Sequence, residues 1–364
     1  MTSFAPHCLL VTGGAGFIGS NFVRWVLERD KDVTVVNLDL LTYAGNVESL
    51  EDVELRHGRQ GDGRYVFVRG DIRDLGLLQP LLQGRSAPPP DGIAHFAAES
   101  HVDRSIIGPS VFVETNVQGT LTLLEACRTE LEARPRPFRF LHVSTDEVYG
   151  AVPTGASLET DRLDPTSPYS AAKAGGELLV LAAHKTYGLP AIVVRGANAY
   201  GPYQYPEKLI PLHITNAIDD QSLPMYGDGQ QRRQWTHVSD FASAVDAVLR
   251  RGTLGEIYNI GNPEPEALLP VNLEISRRIL SVLGKPESLI EYVVDRPAHD
   301  RRYRVNLDKL GALGWQPEWR FADGLDATVQ WYVDHPHWWR PIKSGEHHQA
   351  YYALNYADRS SFAR

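Results

Sequence analysis

Two carboxylic acids, Asp146 and Glu147, stand side by side directly after a segment with the pattern of a buried strand, "RFLHVST". Like charges so close together repel each other, and neither side chain belongs in an apolar core. An exposed acidic turn after a strand would account for the pair. Crowded carboxylates, however, tend to split their pKa values, which leaves one protonated and the other ionised. The pair is therefore a candidate acid and base.

A glycine-rich stretch, "VTGGAGFIGS", places Gly13, Gly16 and Gly19 between a predicted strand and a predicted helix. Glycines there permit a tight turn, close backbone approach to a pyrophosphate and close helix packing, with the helix N-terminus facing the phosphate charge. Asp39 ends the next strand, 20 residues after Gly19, where a carboxylate accepts from adenosine ribose hydroxyls. Ordinary turns also use glycine, but Asp39 at this distance favours a dinucleotide. Leu40 follows without an adjacent arginine, which favours NAD over NADP.

Further predicted cofactor contacts follow the third and fourth strands. Asp71 and Ile72 border the adenine, and the small Ala97 and Ala98 let the cofactor lie close. Such loops are ordinary singly, but together they line the carboxyl edge of a parallel sheet, which is where these sheets bind ligands. The predicted cofactor-binding residues are Gly13, Gly16, Phe17, Ile18, Gly19, Asp39, Thr42, Asp71, Ile72, Ala97, Ala98, Tyr169 and Lys173.

The last two of these, Tyr169 and Lys173, are four residues apart in "SPYSAAK", on one face of a predicted helix. A phenol with a pKa near about 10 is a poor base at neutral pH. A neighbouring ammonium and a positive nicotinamide would lower that pKa, so the tyrosine could take a hydroxyl proton while hydride leaves the same carbon. A surface pair at this spacing arises by chance, but the dinucleotide signature favours the catalytic interpretation.

Alternating strands and helices must position these groups. Helical spacing, for example at 18–29, 110–132 and 168–187, separates short apolar runs. Runs of this kind are typical of strands buried on both faces of a parallel sheet, so we predict an α/β, Rossmann-type doubly wound fold. The runs lie at 7–13, 33–39, 64–71, 92–98, 139–145 and 191–196.

The pattern loosens after about residue 198. One more strand is predicted at 256–261, and a helix at 273–284 ends at Gly284. We predict an NAD-binding domain formed by residues 1–197 plus about 237–262. A smaller, discontinuous C-terminal domain, 198–236 plus about 263–364, would bind the substrate.

Composition narrows the functional classes. The 364 residues carry a net charge of −9, which argues against nucleic acid as a partner. We see no signal peptide and no apolar run long enough to span a membrane. Cys8 and Cys127 are expected to be buried free thiols, so the cytoplasm is the expected location. Neither His335 and His337 nor His347 and His348 have metal-ligand spacing, and no metal is expected.

Several stretches resemble the extended short-chain dehydrogenase/reductases and, within them, the dTDP-glucose 4,6-dehydratases. The Gly-rich and Tyr-Lys motifs indicate only the superfamily, whereas "STDEVYG" with "ESHVDRS" is far more specific. The matching stretches are "VTGGAGFIGSNF", "NLDLLTYAGN", "HFAAESHVDRSI", "HVSTDEVYG", "SPYSAAKA", "YGPYQYPEKLIP", "YGDGQQRRQW", "DRPAHDRRY", "LGWQP" and "WYVDHPHWW".

This resemblance implies that dTDP-glucose becomes dTDP-4-keto-6-deoxyglucose and water, by oxidation at C4, elimination across C5 and C6, and hydride return to C6. Tyr169, helped by Lys173 and Thr145, would remove the C4 hydroxyl proton. Glu147 would take the C5 proton, and Asp146 would protonate the departing C6 oxygen. Because neighbours on a regular strand face opposite ways, the strand must end near Thr145.

The resemblance also implies a homodimer with a helical interface and a set of substrate-binding residues. Arginine suits a diphosphate because its planar fork makes paired, charge-assisted bonds. The set is Ser100, His101, Asp103, Asn198, Glu207, Lys208, Leu209, Tyr226, Arg233, Asn272, Arg296 and His299.

Departures from the family pattern leave the substrate open. Leu40 replaces a usual lysine, Ala199 an asparagine and Gln234 an acid. Gly175 and Gly176 interrupt the helix expected at the dimer interface, each at up to about 1 kcal/mol. A UDP-glucose 4,6-dehydratase, another nucleotide-sugar enzyme of this fold, and a non-catalytic NAD-binding sensor are the alternatives.

Overall fold

The computed structural model describes residues 4–357, in which short strands and helices alternate from the N-terminus onward. The strands of this range are β1 (Cys8–Thr12), β2 (Thr34–Asp39), β3 (Tyr65–Arg69), β4 (Gly92–His95), β5 (Arg139–Thr145), β6 (Ala191–Gly196), β7 (Asn198–Tyr200), β8 (Leu223–Tyr226), β9 (Trp235–His237), β10 (Ile257–Ile260) and β11 (Ile290–Val293). The helices are α1 (Phe17–Arg29), α2 (Glu51–His57), α3 (Leu75–Leu82), α4 (Val102–Ile107), α5 (Ser110–Val113), α6 (Thr120–Ala133), α7 (Pro168–Tyr187), α8 (Leu209–Ile218), α9 (Val238–Arg251), α10 (Asn272–Leu283), α11 (Asp308–Gly311), α12 (Phe321–Asp334), α13 (Pro336–Ser344) and α14 (Glu346–Tyr352).

Seven of the described strands form one parallel sheet in the order β10-β6-β5-β4-β1-β2-β3. The order reverses between β1 and β4, so the carboxyl ends of these two strands open a crevice of the kind that binds ligands in doubly wound sheets. The predicted fold class is confirmed, as is the late strand, which joins the sheet as β10 beside β6.

Both faces of this sheet are covered by helices. Leu9 and Val11 of β1 belong to the apolar core with α1 and α9, whereas the alternate residue Leu10 belongs to the core with α3, α6 and α7. Successive side chains of a strand point to opposite faces of the sheet, so neighbouring residues of β1 enter different cores. It explains why the strand segments are apolar throughout.

A third apolar core lies around Tyr200, Tyr332 and Trp339. Helices α8, α10, α12 and α13 supply most of it, and the two-stranded sheets β7-β9 and β8-β11 lie in the same later part of the chain. Helix α10 ends as predicted, with Gly284 at a left-handed φ of 64°. The boundaries of the two proposed domains stay a prediction.

The stretch predicted as one helix over 110–132 is interrupted. A π-helical turn, Glu114–Gly119, separates α5 from α6. The Asn116 side chain within it donates to the Glu99 carbonyl and accepts from the Glu99 amide, both at 2.9 Å. A Cβ at Gly176 of α7 would lie 2.4 Å from the Asn116 carbonyl oxygen. Gly176 therefore lets α7 contact this turn, and its predicted helix cost is offset by that packing.

Cys8 and Cys127 are buried free thiols, as predicted. Between residues 4 and 357 no helix has the length and apolar character needed to span a membrane. The same part of the chain holds no group of three or more His, Cys, Asp or Glu side chains arranged for a metal ion.

Candidate active site

A cavity of about 410 Å³ opens along the carboxyl edge of the large sheet, a volume typical of ligand sites. All the residues predicted above for catalysis, cofactor binding and substrate binding line it. Segments far apart in sequence are thereby brought together. The roles of the individual residues stay predictions.

The glycine-rich turn forms one wall of this cavity. Gly13 has φ 71°, and a Cβ there would lie 2.6 Å from the Ala97 backbone nitrogen. A Cβ at Gly19 would lie 2.2 Å from the Gly13 carbonyl oxygen. Gly16 caps α1 without a side chain, which leaves the first helical amides open to a phosphate. The turn therefore fits a pyrophosphate.

Asp39 ends β2 at the same edge, as predicted. Its Oδ2 accepts from the Ala15 amide at 2.9 Å, and its Oδ1 accepts from the Leu41 amide at 2.8 Å. Burial raises the pKa of this carboxyl, and these two backbone donors oppose the rise. The carboxylate is fixed at the cavity wall with lone pairs left for ribose hydroxyls, so the residues present fit NAD.

The acid pair follows the end of β5 at Thr145, where the sequence required the strand to stop. Asp146 and Glu147 open a 3₁₀ turn, Asp146–Tyr149, capped by the Thr145 hydroxyl, which accepts from the Glu147 amide at 3.3 Å. Because the turn breaks the strand alternation, both acids line the same cavity.

The two acids lie in different electrostatic surroundings. Burial, and then the Glu147 charge, raises the pKa of Asp146 to about 8. Burial also raises the pKa of Glu147, but Arg296, Arg233 and Lys208 oppose that rise. Asp146 is thus protonated at neutral pH, and three cations favour the carboxylate form of Glu147. This is the division that an acid and a base require.

Helix α7 holds Tyr169 and Lys173 rigidly. Ser167 caps it, the capping box with Ser170 satisfies the first amides, and Pro168 suits the first helical position. Lys173 is buried and its Nζ donates to the Val143 carbonyl at 2.5 Å. Burial lowers the pKa of Lys173 to about 8, against the opposing charge of Glu177.

The prediction that Lys173 and a bound nicotinamide together lower the pKa of Tyr169 stays a prediction, and in the protein chain by itself that pKa is raised. Burial raises the pKa of Tyr169, and the charges of Glu147 and then Asp146 add to the rise, while the Thr145 side chain opposes it. The desolvation of a fully enclosed phenol exceeds the benefit of an ammonium that is engaged with Val143. Favouring the phenolate therefore needs a positive charge besides Lys173.

Cations from later segments line the same cavity and act on Glu147. Arg233 is buried with its guanidinium 4.3 Å from the Tyr303 ring centroid, and its NH2 donates to the Asp300 carbonyl at 2.7 Å. Arg296 donates to Asp103 at 3.1 Å. Although burial alone would raise the pKa of Asp103, the Arg296 charge holds that pKa well below its usual range.

Other predicted substrate residues are held by local hydrogen bonds. Lys208 Nζ donates to the Ser100 carbonyl at 2.9 Å, and Tyr226 donates its hydroxyl to Asp103 at 2.6 Å. His299 lies 2.6 Å from Asp295, yet burial lowers its pKa to about 4. His101, also buried, has its pKa lowered to about 4. Leu209 begins α8 and Asn272 begins α10.

Within residues 4–357, several buried polar atoms that line the cavity have no hydrogen-bond partner. Such atoms in a native site need an explanation, and ligand contacts provide one. They include Asp146 Oδ2, Asn198 Oδ1, Asn272 Oδ1 and Arg296 Nε.

Two departures from the family pattern have defined places. Gln234 is buried outside the cavity lining: its Nε2 donates to the Asn262 carbonyl at 2.6 Å and its Oε1 accepts from the Val305 amide at 3.0 Å. Its replacement of an acid therefore does not bear directly on the substrate. Leu40 and Ala199 do line the cavity.

The C-terminal segment contributes groups that sequence reasoning missed. Asn355 donates to Asp103 at 3.2 Å and to the Tyr226 hydroxyl at 2.9 Å. The Tyr356 hydroxyl oxygen lies 3.2 Å from that of Tyr226, and Tyr356 lines the cavity. No local motif marks these residues, since their role depends on a tertiary contact with β8 and α4.

Known proteins resemble this chain over most of its length. The sequence model of the family described as GDP-mannose 4,6 dehydratase matches residues 10–328. The chain is similar to the dTDP-glucose 4,6-dehydratase of Xanthomonas campestris pv. campestris (strain B100), at 49% identity over 93% of this chain and 96% of that one. It is 45% identical to dTDP-glucose 4,6-dehydratase 1 of Escherichia coli (strain K12), over 96% and 99% of the two chains.

Solved structures with a similar fold also include a dTDP-glucose 4,6-dehydratase. DesIV, a dTDP-glucose 4,6-dehydratase from Streptomyces venezuelae solved with NAD and TYD bound, superposes with a TM-score of 0.85 at 49% identity, over 92% of this chain and 100% of that one. A UDP-glucuronic acid 4-epimerase from Bacillus cereus, in complex with UDP-glucuronic acid and NAD, reaches 0.79 at 28% identity, over 90% and 99%.

Proposed function

The chain belongs to the GDP-mannose 4,6 dehydratase family and, within it, to the dTDP-glucose 4,6-dehydratases, and from that premise we propose how its own residues act. The activity is that of an NAD-dependent hydro-lyase, which converts dTDP-glucose to dTDP-4-keto-6-deoxyglucose and water. The observation that carries the proposed roles is the acid pair at the end of β5, in one cavity with Tyr169 and Lys173.

NAD, when bound, takes up the hydride from C4 and supplies it again to C6. Tyr169, as its phenolate, removes the C4 hydroxyl proton and becomes a neutral phenol, and the nearby positive charge of Lys173 favours the phenolate before the proton moves. Thr145 lies at the end of β5 beside this tyrosine and caps the acidic turn. The burial of Tyr169 and Lys173 excludes water from the proton that is moved.

Elimination of water uses the acid pair. A 4-ketone makes the C5 proton acidic, and Glu147 takes that proton. Asp146, protonated because burial and Glu147 raise its pKa to about 8, donates to the C6 oxygen as it leaves. Glu147 then returns a proton to C5 when C6 is reduced. The turn at Asp146–Tyr149 directs both acids to one side, which a continued strand would not.

The nucleotide is held by the cations that line this cavity. Arg233, Arg296 and Lys208 supply the positive charge that a diphosphate requires. Glu207 lines the same cavity, and its carboxylate accepts from Tyr43 at 2.9 Å and Arg104 at 3.0 Å. Its predicted contact with the diphosphate or base stays a prediction.

A homodimer through helices α5 to α7 is proposed as well. Exposed apolar side chains gather on this surface, and Leu178, at 53% exposure, lies on α7. A partner helix pair would bury them. Leu178→Glu would then give a monomer in light scattering after size exclusion. Cytoplasmic location and the two-domain division stay predictions.

The function is tested by incubating purified protein with dTDP-glucose and, in parallel, UDP-glucose, followed by mass spectrometry of the nucleotide sugars. Loss of one water from the dTDP sugar, without net consumption of added NAD, is expected. Loss of water from the UDP sugar alone would show that the substrate carries UDP instead of dTDP, while the proposed dehydration reaction would stand. Bound NAD with no reaction on either sugar would favour the sensor.

A second arm tests the assigned roles. Glu147→Gln keeps the shape of the side chain and removes the base. We expect a 4-keto sugar that retains its C6 hydroxyl, together with NADH seen by its near-ultraviolet absorbance. An unchanged rate of water loss would contradict the role of Glu147.

A further inference from the structure

Three segments that are distant in sequence meet at Arg104 of α4. The Arg104 guanidinium lies between two aromatic rings, 3.9 Å from the Tyr43 ring centroid and 4.0 Å from that of Tyr351. Its Nε donates to Oε2 of Glu207 at 3.0 Å. The Tyr43 hydroxyl donates to Oε1 of the same carboxylate at 2.9 Å. We call this set, Tyr43, Arg104, Glu207 and Tyr351, the latch.

One end of the latch belongs to the loop that borders the cofactor. Residues 40–46 follow β2, and Leu40, Thr42 and Ala44 of this loop line the cavity beside Asp39. The loop is tied to the glycine-rich turn where Asn46 donates its amide to the Ala15 carbonyl at 2.9 Å. The Tyr43 side chain, between these points, is turned toward Glu207. Movement of this loop away from the adenosine end of the cavity would therefore pull on the latch.

The other end belongs to the segment that binds the nucleotide sugar. Glu207 precedes Lys208, one of the cations proposed for the diphosphate, and the Glu207 side chain is 2% exposed. A buried carboxylate that loses one partner is left with an uncompensated charge, which is costly. Burial alone would raise the pKa of Glu207, but His101, Lys208 and Arg104 hold that pKa below its usual value. The carboxylate stays charged, so the latch depends on Arg104.

We propose that Arg104, Tyr43 and Glu207 are positioning residues that fasten the cofactor loop to the nucleotide-sugar segment and thereby slow the loss of NAD. The inference rests on the NAD-dependent function above, in which the cofactor ends each turnover in its starting redox state. An enzyme of this kind gains nothing from exchanging cofactor, and a closed loop retains it. A ligand that steadies the Lys208 segment is expected to slow NAD loss. To the extent that this ligand raises the affinity for NAD, NAD raises the affinity for the ligand by the same factor.

The test measures how fast bound NAD leaves the full-length protein. Protein loaded with NAD is desalted rapidly, and the nucleotide still bound is measured against time by chromatography, with and without dTDP. For Arg104→Gln we expect NAD loss about 30-fold faster, from the combined loss of two ring contacts and one ion pair. For Tyr43→Phe, which keeps the ring and removes one hydroxyl, we expect loss about 5-fold faster. The slowing by dTDP is expected to shrink in both variants.

Matched controls make the same chemical changes elsewhere. Arg29→Gln removes an arginine that lies 3.3 Å from the Trp25 ring centroid at the far end of α1. Tyr258→Phe removes a buried hydroxyl that accepts from the Thr253 amide at 3.0 Å. Both controls are expected to retain NAD as the parent protein does.

Retention of NAD by Arg104→Gln for as long as by the parent, with an equal effect of dTDP, would overturn the proposal. If thermal melting shows that Arg104→Gln is unfolded, the rate of NAD loss from Tyr43→Phe tests the proposal instead. This variant is expected to fold, because it removes one oxygen atom from a half-buried ring. Water loss from dTDP-glucose is assayed separately. If the latch variants lost NAD faster but the parent protein formed no dehydrated sugar, the proposed dehydration would be refuted and the proposed role of the latch would stand.

Discussion

The two ends of the cavity are built on different principles. The cofactor end uses backbone geometry: the turn at Gly13, the open amides at the start of α1, and the ends of parallel strands. The end proposed for the nucleotide sugar uses charged and polar side chains from α4, the loop before α8, β8, the loop around residue 296 and the C-terminal segment. Backbone geometry leaves a local signature in the sequence, whereas side chains that meet across the fold leave none.

The ends also respond differently to damage. A glycine turn has no flexible atom that can move aside, so an added methyl group meets backbone. A charged network has several partners, and the loss of one redistributes the others at the cost of an unpaired buried charge. Asp146 and Glu147, the acids proposed for catalysis, line the same cavity as both ends, and we call their position the junction.

At the junction, Asp146→Asn removes the acid and keeps the volume. We expect kcat for water loss to fall about 1000-fold, the range of a lost general acid. Binding of NAD and of dTDP is expected to stay close to that of the parent protein, because neither end of the cavity has been altered. Rapid-quench mass spectrometry and the bound-NAD measurement check the two halves of this expectation. If Asp146→Asn bound much less NAD than the parent protein, Asp146 would contribute to cofactor binding as well as to water loss.

The pH dependence of the parent protein follows from the same carboxyl. Its pKa is raised to about 8 in the folded protein, so the donating form is present below pH 8 and water loss slows as pH rises through that value. The folded state binds a proton that the unfolded state releases near pH 4, so this group destabilises the fold progressively between about pH 4 and 8. Asp146→Asn should therefore raise the melting temperature, with a larger gain at pH 8 than at pH 5.

At the cofactor end, Gly13→Ala combines backbone strain at φ 71° with a Cβ placed 2.6 Å from the Ala97 nitrogen. We expect NAD affinity to fall about 100-fold, since strain alone costs about 1–3 kcal/mol and the contact adds to it. Gly63→Ala is the matched control, because Gly63 has φ 77° and nothing within 4 Å of its Cβ position. Isothermal titration with NAD would contradict the backbone account if the two variants bound equally.

At the end proposed for the nucleotide sugar, Arg296→Gln removes a guanidinium that donates to the buried Asp103. We expect KM for dTDP-glucose to rise about 30-fold while NAD binding changes little, since buried charge pairs are costly to break. Arg277→Gln, which loses an exposed pair with Glu287, is the control and should change neither value. Steady-state kinetics gives KM for dTDP-glucose, and the bound-NAD measurement gives cofactor binding. If Arg296→Gln weakened NAD binding as much as it raised KM, the two ends of the cavity would not act separately.

The smallest effect is expected from Leu40→Lys, which places a cation beside the ribose acid. Leu40 is 40% exposed, so the added charge remains largely solvated. We expect NAD affinity to rise no more than about 3-fold. The same titration measures it. A gain of two orders of magnitude would show that a side chain, and not only the backbone, controls the cofactor end.

The sequence predicted the parts of the fold that depend on local pattern. The seven strands of the sheet, the bounds of α7 and the end of β5 at Thr145 all follow from apolar period, capping residues and turn chemistry. The π-helical turn at Glu114–Gly119 was missed, because its cause is the contact of Asn116 with Glu99 and with Gly176. That contact is tertiary and has no local signal.

The candidate site divides in the same way. The glycine turn, Asp39 and the acid pair were identifiable from motifs, whereas the latch and the Asn355 contacts depend on segments that only folding brings together. The extent to which Tyr169 is enclosed was also beyond the sequence. Spacing gave the ammonium nearby, but only the structure shows a fully enclosed phenol facing two carboxyls, with Lys173 engaged by Val143.

The strand order has a consequence for synthesis on the ribosome. β10 pairs with β6, yet the whole of segment 197–256 lies between them in the chain. At about 5–20 residues per second, roughly 3–12 s pass before β10 can emerge to cover the outer edge of β6. During that interval the edge offers unpaired amides and carbonyls to other nascent chains. By pairing with β6, β10 therefore also protects the sheet from aggregation through this edge.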